Sequence, residues 1–196
     1  MSAAAENKRA LRRELRARLG GIGAGERAAR SLAAARHLFS LPEMAGAGAC
    51  MAFASMPEEI DTTPILEALW REGWRVALPR IDPATRAMDG FWIDPAQALS
   101  TNRWGIPEPA PDPARCAEPA QLALILVPGL AFDARGSRLG RAAGYYDRFL
   151  HRAGHGPLRI GLFYSLQQLP EIPTEPWDEP LDLVVTDAGI LRCRRG

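Results

Sequence analysis

The chain has 196 residues, a net charge of +1, and 47% hydrophobic against 24% charged residues, a balance that suits one domain and argues against wholesale disorder. No apolar run approaches the roughly 20 residues needed to cross a bilayer, and the basic stretch from Met1 to Arg18 lacks an apolar core of signal-peptide type. Cys50, Cys116 and Cys193 are odd in number and far apart, so they read as reduced thiols of a cytoplasmic protein, not as a disulfide or metal framework.

Residues 6–19 carry Leu11, Leu15 and Leu19 at every fourth position, which predicts a helix with one narrow apolar stripe. Glycines at 20, 21, 23 and 25 break the chain, and a helical pattern resumes over 26–40. Residues 49–54 form an apolar run of strand length, followed by a turn at Met56-Pro57. Thr63-Pro64 fits an N-cap with proline at the first helical position, opening a helix that lasts until Gly73. Trp74, Val76 and Leu78 alternate with Arg75 and Ala77 as a strand does. Residues 79–119 hold eight of the 17 prolines and read as loops and short strands crossing the surface. The run from Leu122 to Val127 fits a strand buried on both faces of a parallel sheet. A helix is expected over about 145–152, with strands at 159–164 and 183–186. Strands alternating with helices imply a single α/β domain over 1–196, a three-layer α/β/α arrangement with a mostly parallel central sheet, and ligands at the carboxyl ends of its strands.

The richest stretch is 127–149. A buried strand leads into a loop with Gly129, Gly136, Gly140 and Gly144, then into a helix. Glycines allow close backbone approach, a helix N-terminus favours phosphate, and Arg138 and Arg141 add charge-assisted donors. The spacing is neither that of a Walker loop nor of a dinucleotide fingerprint. On glycine count a plain surface loop competes evenly with an anion site; the paired tyrosines and Asp147 tilt the balance toward a site.

The segment Leu126-Val-Pro-Gly-Leu-Ala-Phe-Asp133, with Arg138-Leu-Gly-Arg141 and Gly144-Tyr-Tyr-Asp-Arg148, resembles the signature of the 5-formyltetrahydrofolate cyclo-ligase family, also called 5,10-methenyltetrahydrofolate synthetases. Lys8-Arg9-Ala-Leu-Arg12, Phe53-Ala-Ser-Met-Pro-Glu-Glu59-Ile-Asp-Thr62, Trp104-Gly-Ile-Pro-Glu-Pro109 and the stretch from Trp177-Asp178 to Thr186 resemble its other blocks in order. The likeness spans about residues 7–190.

The resemblance implies an ATP- and Mg2+-dependent enzyme that phosphorylates the formyl oxygen of 5-formyltetrahydrofolate and closes the methenyl bridge by N10 attack, releasing ADP and phosphate. It implies Lys8, Arg141 and Tyr145 as catalytic residues. The nucleotide would lie on Lys8, Arg12, Arg138, Leu139, Gly140, Arg141, Ala142, Ala143, Gly144, Tyr145 and Tyr146. The folate would lie on Ala54, Glu59, Trp104, Arg141, Gly144 and Tyr145, with Glu59 accepting N–H bonds from the pterin. Asp147 and Asp178 would be the magnesium ligands. Small-molecule substrates, no nucleic acid and no membrane are the expected partners, and a monomer is expected with a dimer left open.

Bland readings stand beside these. Lys8 and Arg12 share a helix face that a solvated basic surface would also explain, since six cations fall within residues 8–18. Asp147 and Asp178 could be a helix-cap carboxylate and a solvated acid. Glu58 is expected to be exposed, Phe53 to be core, and the two tyrosines to divide between ligand and interior. Arg13 and Arg16 are expected to tolerate lysine, whereas Lys8, the only lysine, is not expected to tolerate arginine. Two other functions remain open at this stage. Ala142 and Ala143, where the family often has Gly and Lys or Gly, would suit a non-catalytic folate-binding relative with a weakened ATP site. The basic N-terminal helix would suit a nucleic-acid-binding module with steep salt dependence.

Overall fold

A computed structural model describes residues 3–102, 105–141 and 144–193. In chain order it contains α1 (Ala3–Gly20), α2 (Ala24–Phe39), β1 (Ala49–Met51), α3 (Thr63–Arg71), β2 (Arg75–Asp82) and β3 (Ala87–Ile93). The short strands β4 (Ser100–Thr101), β5 (Pro107–Glu108) and β6 (Cys116–Ala117) precede β7 (Leu124–Val127), β8 (Ala131–Phe132) and β9 (Arg138–Leu139). Then come α4 (Tyr145–Ala153), β10 (Leu158–Leu162), β11 (Leu183–Thr186) and β12 (Gly189–Arg192).

Eight strands form one sheet in the order β12-β11-β10-β7-β1-β2-β3-β6. The five central strands, β11 to β2, are mutually parallel, and the antiparallel pairs lie at the two ends. The apolar run at β7 sits between β1 and β10, and all four of its residues are buried. Period-two alternation sorts the strand side chains onto two faces. Cys50, Val76, Leu124, Leu126, Ile160 and Val185 pack with Leu15, Leu19, Leu38, Ile65 and Leu69 from α1, α2 and α3. Met51, Ala77, Ile125, Val127 and Val184 face the other way, toward Phe149 and Leu150 of α4. This is the expected three-layer α/β/α arrangement with a mostly parallel sheet. Each fully buried leucine or isoleucine contributes roughly 1.5–3 kcal/mol.

The proline-rich region is more regular than the sequence suggests. β2 and β3 form a hairpin paired from Val76–Ile93 to Asp82–Ala87. Asp89 and Gly90 interrupt the alternation of β3, which hides it from a period-two reading. The helix cap also shifts by one residue. α3 is capped at Thr62, whose hydroxyl donates instead to Phe53 O at 2.7 Å. The Thr63 N–H donates to Asp61 Oδ1 at 2.9 Å.

The carboxyl ends of the parallel strands β1, β2 and β7 open onto one side of the sheet, where β1 leads into the loop at 52–62 and β2 into its hairpin with β3. After β7, Asp133 organises the turn: its Oδ1 accepts from Arg135 N and Ser137 N, and its Oδ2 from Ile172 N at 3.0 Å. Gly136 has φ +87°, and a Cβ there would lie 2.4 Å from Leu181 O, so only glycine fits. Gln167 donates to Gly129 O and Leu130 O, both at 3.0 Å, and holds the strand exit in place.

Candidate active site

A cavity of about 640 Å³ lies over these strand ends. Its walls come from α1, the loop after β1, the β2–β3 hairpin, the loop from β9 into α4, and a turn at 175–178.

α1 presents Lys8, Arg12 and Arg16 to the cavity, one helical turn apart. The buried Lys8 ammonium donates to Asp178 Oδ2 at 2.6 Å and Glu175 Oε2 at 3.1 Å. Arg12 Nε donates to Gly140 O at 2.9 Å, and Arg16 Nη2 to Arg141 O at 3.0 Å. Burial, then the neighbouring Arg16 charge, pulls the Arg12 pKa below its usual value. Two arginines on one helix thus hold two successive carbonyls of the glycine loop.

That loop carries the remaining cations. Arg138, on β9, is 6% exposed and pairs through Nη2 with Asp147 Oδ1. Its Nε and Nη1 are buried without a partner among the described residues. Arg141 Nε donates to Glu59 Oε1 at 2.7 Å and Nη1 to Glu58 Oε1 at 2.8 Å, leaving Nη2 buried and unpartnered among the described residues. Burial acts against the Arg141 charge, but Glu59 and Glu58 outweigh it and hold the pKa above the usual value.

Glu59 is fixed from three sides. Its Oε2 accepts from Met56 N at 2.8 Å, its backbone carbonyl from the Tyr164 hydroxyl at 2.7 Å, and its Oε1 from Arg141. Burial pushes its carboxyl above the usual carboxylate range, against the pull of Arg141. For Glu58 burial acts the same way, but the Arg141 bond wins and holds the carboxyl below that range.

Gly144 caps α4 in a left-handed conformation, φ +62°, and turns Tyr145 and Tyr146 to the cavity. The Tyr146 hydroxyl is buried without a partner among the described residues, and burial drives its pKa strongly upward. Tyr145 lies with its ring centroid 5.2 Å from the Arg148 guanidinium carbon. Among the described residues, the cavity therefore has a cluster of buried, unpaired donors on Arg138, Arg141 and Tyr146. Such donors cost free energy unless a ligand accepts from them.

A sequence profile described as the 5-formyltetrahydrofolate cyclo-ligase family matches residues 4–187. The chain belongs to this family. It is 35% identical over 159 residues to the 5-formyltetrahydrofolate cyclo-ligase of Escherichia coli K12, covering 80% of this chain and 87% of that one. To the Mus musculus cyclo-ligase it is 30% identical over 187 residues, covering 91% and 92%. The solved structure of Aquifex aeolicus 5,10-methenyltetrahydrofolate synthetase superposes with a TM-score of 0.81 at 31% identity, covering 96% and 94%.

The cyclo-ligase motifs, scattered in sequence, meet in this cavity. Lys8, Arg12, Ala54, Glu59, Arg138, Leu139, Gly140, Arg141, Gly144, Tyr145, Tyr146, Asp147 and Asp178 all line it. Trp104, Ala142 and Ala143 lie outside the described residues. Phe53 is both core and cavity wall. Two readings change. Glu58 is not an exposed control: its side chain is 24% exposed and bonded to Arg141. Arg16 cannot be grouped with Arg13, because it lines the cavity and holds Arg141 O. Asp178 and Asp147 each carry an ion pair on one oxygen, to Lys8 and Arg138 respectively.

Several cyclo-ligase cavity residues escaped the sequence reading. Glu175, which no motif singles out, shares Lys8 with Asp178. Glu108, 4% exposed, accepts from Asn102 Nδ2 at 2.7 Å and fixes the β5 wall. Trp177 lines the cavity while remaining 65% exposed.

Proposed function

We propose that the protein converts 5-formyltetrahydrofolate to 5,10-methenyltetrahydrofolate at this cavity, with ATP as co-substrate and release of ADP and phosphate. The observation that carries the reading is the cluster of buried, unpartnered donors on Arg138, Arg141 and Tyr146, beside a loop whose carbonyls α1 holds. These donors suit phosphate oxygens, and family membership supplies the folate.

In this reading the γ-phosphoryl group moves from ATP to the formyl oxygen of N5. The bond to the ADP oxygen breaks as the new P–O bond forms. The N10 lone pair then attacks the formyl carbon, phosphate leaves with its oxygen, and N10 loses its proton to solvent. Transfer of this kind asks mainly for positioning and charge neutralisation. Arg138 and Arg141 would take phosphate oxygens, Lys8 the nucleotide, Tyr146 OH an acceptor at the reacting end, and Glu59 the pterin N–H groups. No histidine is assigned a role.

Magnesium is tested against the donor set. Lys8 and Glu175 N both end on Asp178 Oδ2, and Arg138 and Glu179 N both end on Asp147 Oδ1. The second oxygen of each aspartate remains a hard donor. That fits an ion ligated largely by phosphate and water with one or two carboxylates. When bound, it neutralises developing phosphate charge; Asp147 and Asp178 would hold it.

The test is to mix purified protein with 5-formyltetrahydrofolate, ATP and magnesium, following methenyl absorbance and ADP together. Both should rise in equal amounts and stop when magnesium is chelated. Folate binding in calorimetry with no nucleotide binding and no absorbance change would sink the enzymatic reading in favour of a folate-binding relative.

A further inference from the structure

One guanidinium here serves two adjacent carboxylates. Arg141 Nε is bound by Glu59 Oε1 at 2.7 Å and Nη1 by Glu58 Oε1 at 2.8 Å. The two acids differ in surroundings. The Glu59 side chain is 7% exposed and otherwise fixed by Met56 N, whereas that of Glu58 is 24% exposed at the cavity wall. A pterin whose N–H groups bind Glu59 must share or displace Arg141 Nε. Freed from Glu59 and left with no other carboxylate, the buried guanidinium would be an uncompensated charge, which is costly.

We infer that Glu58 is a positioning residue, which keeps Arg141 neutralised and aimed at the phosphate loop while Glu59 turns to the folate. The inference rests on the folate reading of Glu59. Arg141 is anchored at its backbone by Arg16 and at its Nη1 by Glu58, so its Nε and Nη2 can change partners without the side chain leaving the cavity. Glu58 thereby links the two substrates. Folate binding takes Glu59 away from Arg141, and Arg141 Nε becomes available to an anion.

The test uses Glu58→Gln, which keeps an acceptor oxygen and removes the charge. Calorimetry of 5-formyltetrahydrofolate is run with and without a non-hydrolysable ATP analogue. In the variant, folate alone should bind about tenfold more weakly, the weight of one charge-assisted hydrogen bond of about 1.4 kcal/mol. With the analogue bound, its phosphates neutralise Arg141 and most of the loss should be recovered. Glu58→Asp retains the charge and should stay closer to the wild type in both conditions. Unchanged folate affinity in Glu58→Gln overturns the inference. So does a loss of the same size with and without the analogue, because general damage to the site would not depend on nucleotide. Wild-type protein that binds no 5-formyltetrahydrofolate would overturn the functional reading instead.

Discussion

Lys8 places a compact ammonium between two acids. Its ammonium sits between Asp178 at 2.6 Å and Glu175 at 3.1 Å, with the side chain 6% exposed. A guanidinium is broader, and forcing extra volume into a filled site costs roughly 1–3 kcal/mol. Lys8→Arg is therefore expected to lower turnover tenfold or more, measured by methenyl formation, whereas Arg13→Lys on the exposed face should leave it unchanged. Glu59 gives a second residue-scale prediction. Burial raises its pKa in the folded state, so folding favours the protonated form. The stability from that protonation is complete below the ordinary carboxylate range near about 4.3 and is lost as pH rises through the raised value. In thermal melts, Glu59→Gln should then gain stability relative to the wild type as pH is raised from the ordinary carboxylate range toward about 8. The gap should close as pH falls toward the ordinary range. The same variant should lose folate binding, so a gain in stability comes with a loss of function.

At the scale of elements, the helices and the central strands were legible because their apolar periods are strong. α1 carries Leu15 and Leu19 on one stripe, and β7 is a run with no polar residue. β3 was not legible, because Asp89 and Gly90 break its alternation and its partner is found only through the hairpin. The site was legible where a motif is local, as in the glycine loop from Arg138 to Tyr146. It was not legible where a partner comes from far away: nothing around Glu175 points to a lysine 167 residues earlier. Glycines of that region also divide by structure. Gly136→Ala would place a Cβ 2.4 Å from Leu181 O at φ +87°. A left-handed alanine alone costs about 1–2 kcal/mol, and the backbone overlap adds to it, so a loss of 2 kcal/mol or more is expected in urea denaturation. A Cβ at Gly140 would meet nothing within 4 Å among the described residues, so Gly140→Ala should denature like the wild type.

For the molecule as a whole, the near-neutral charge is reproduced inside the cavity. Five cations and six carboxylates line it among the described residues. The cations of the cavity are thus not an open basic patch: Lys8, Arg138 and Arg141 already face carboxylates, and Arg12 and Arg16 face carbonyls. The sheet also protects its chemistry. Cys50, in the middle of β1, has its thiol pushed up to about 12 by burial. Alkylation of the native protein at neutral pH should label Cys116 and Cys193, which are partly exposed, and spare Cys50 until the protein is denatured. Peptide mapping after brief labelling checks this, and early modification of Cys50 would contradict the buried position of β1.

The ion pairs of Lys8 have a consequence for how the molecule is made. Lys8 leaves the ribosome with the first helix, but its partners Glu175 and Asp178 lie 167 and 170 residues downstream. At 5–20 residues per second, the wait is on the order of ten seconds. Throughout it the nascent chain carries the cationic face of α1 without the acids that later cover it, and the cavity has no wall on that side. The cavity wall that carries Glu175 and Asp178 is therefore made 167 to 170 residues after Lys8, and a nascent chain that stops short of it holds only part of the cavity.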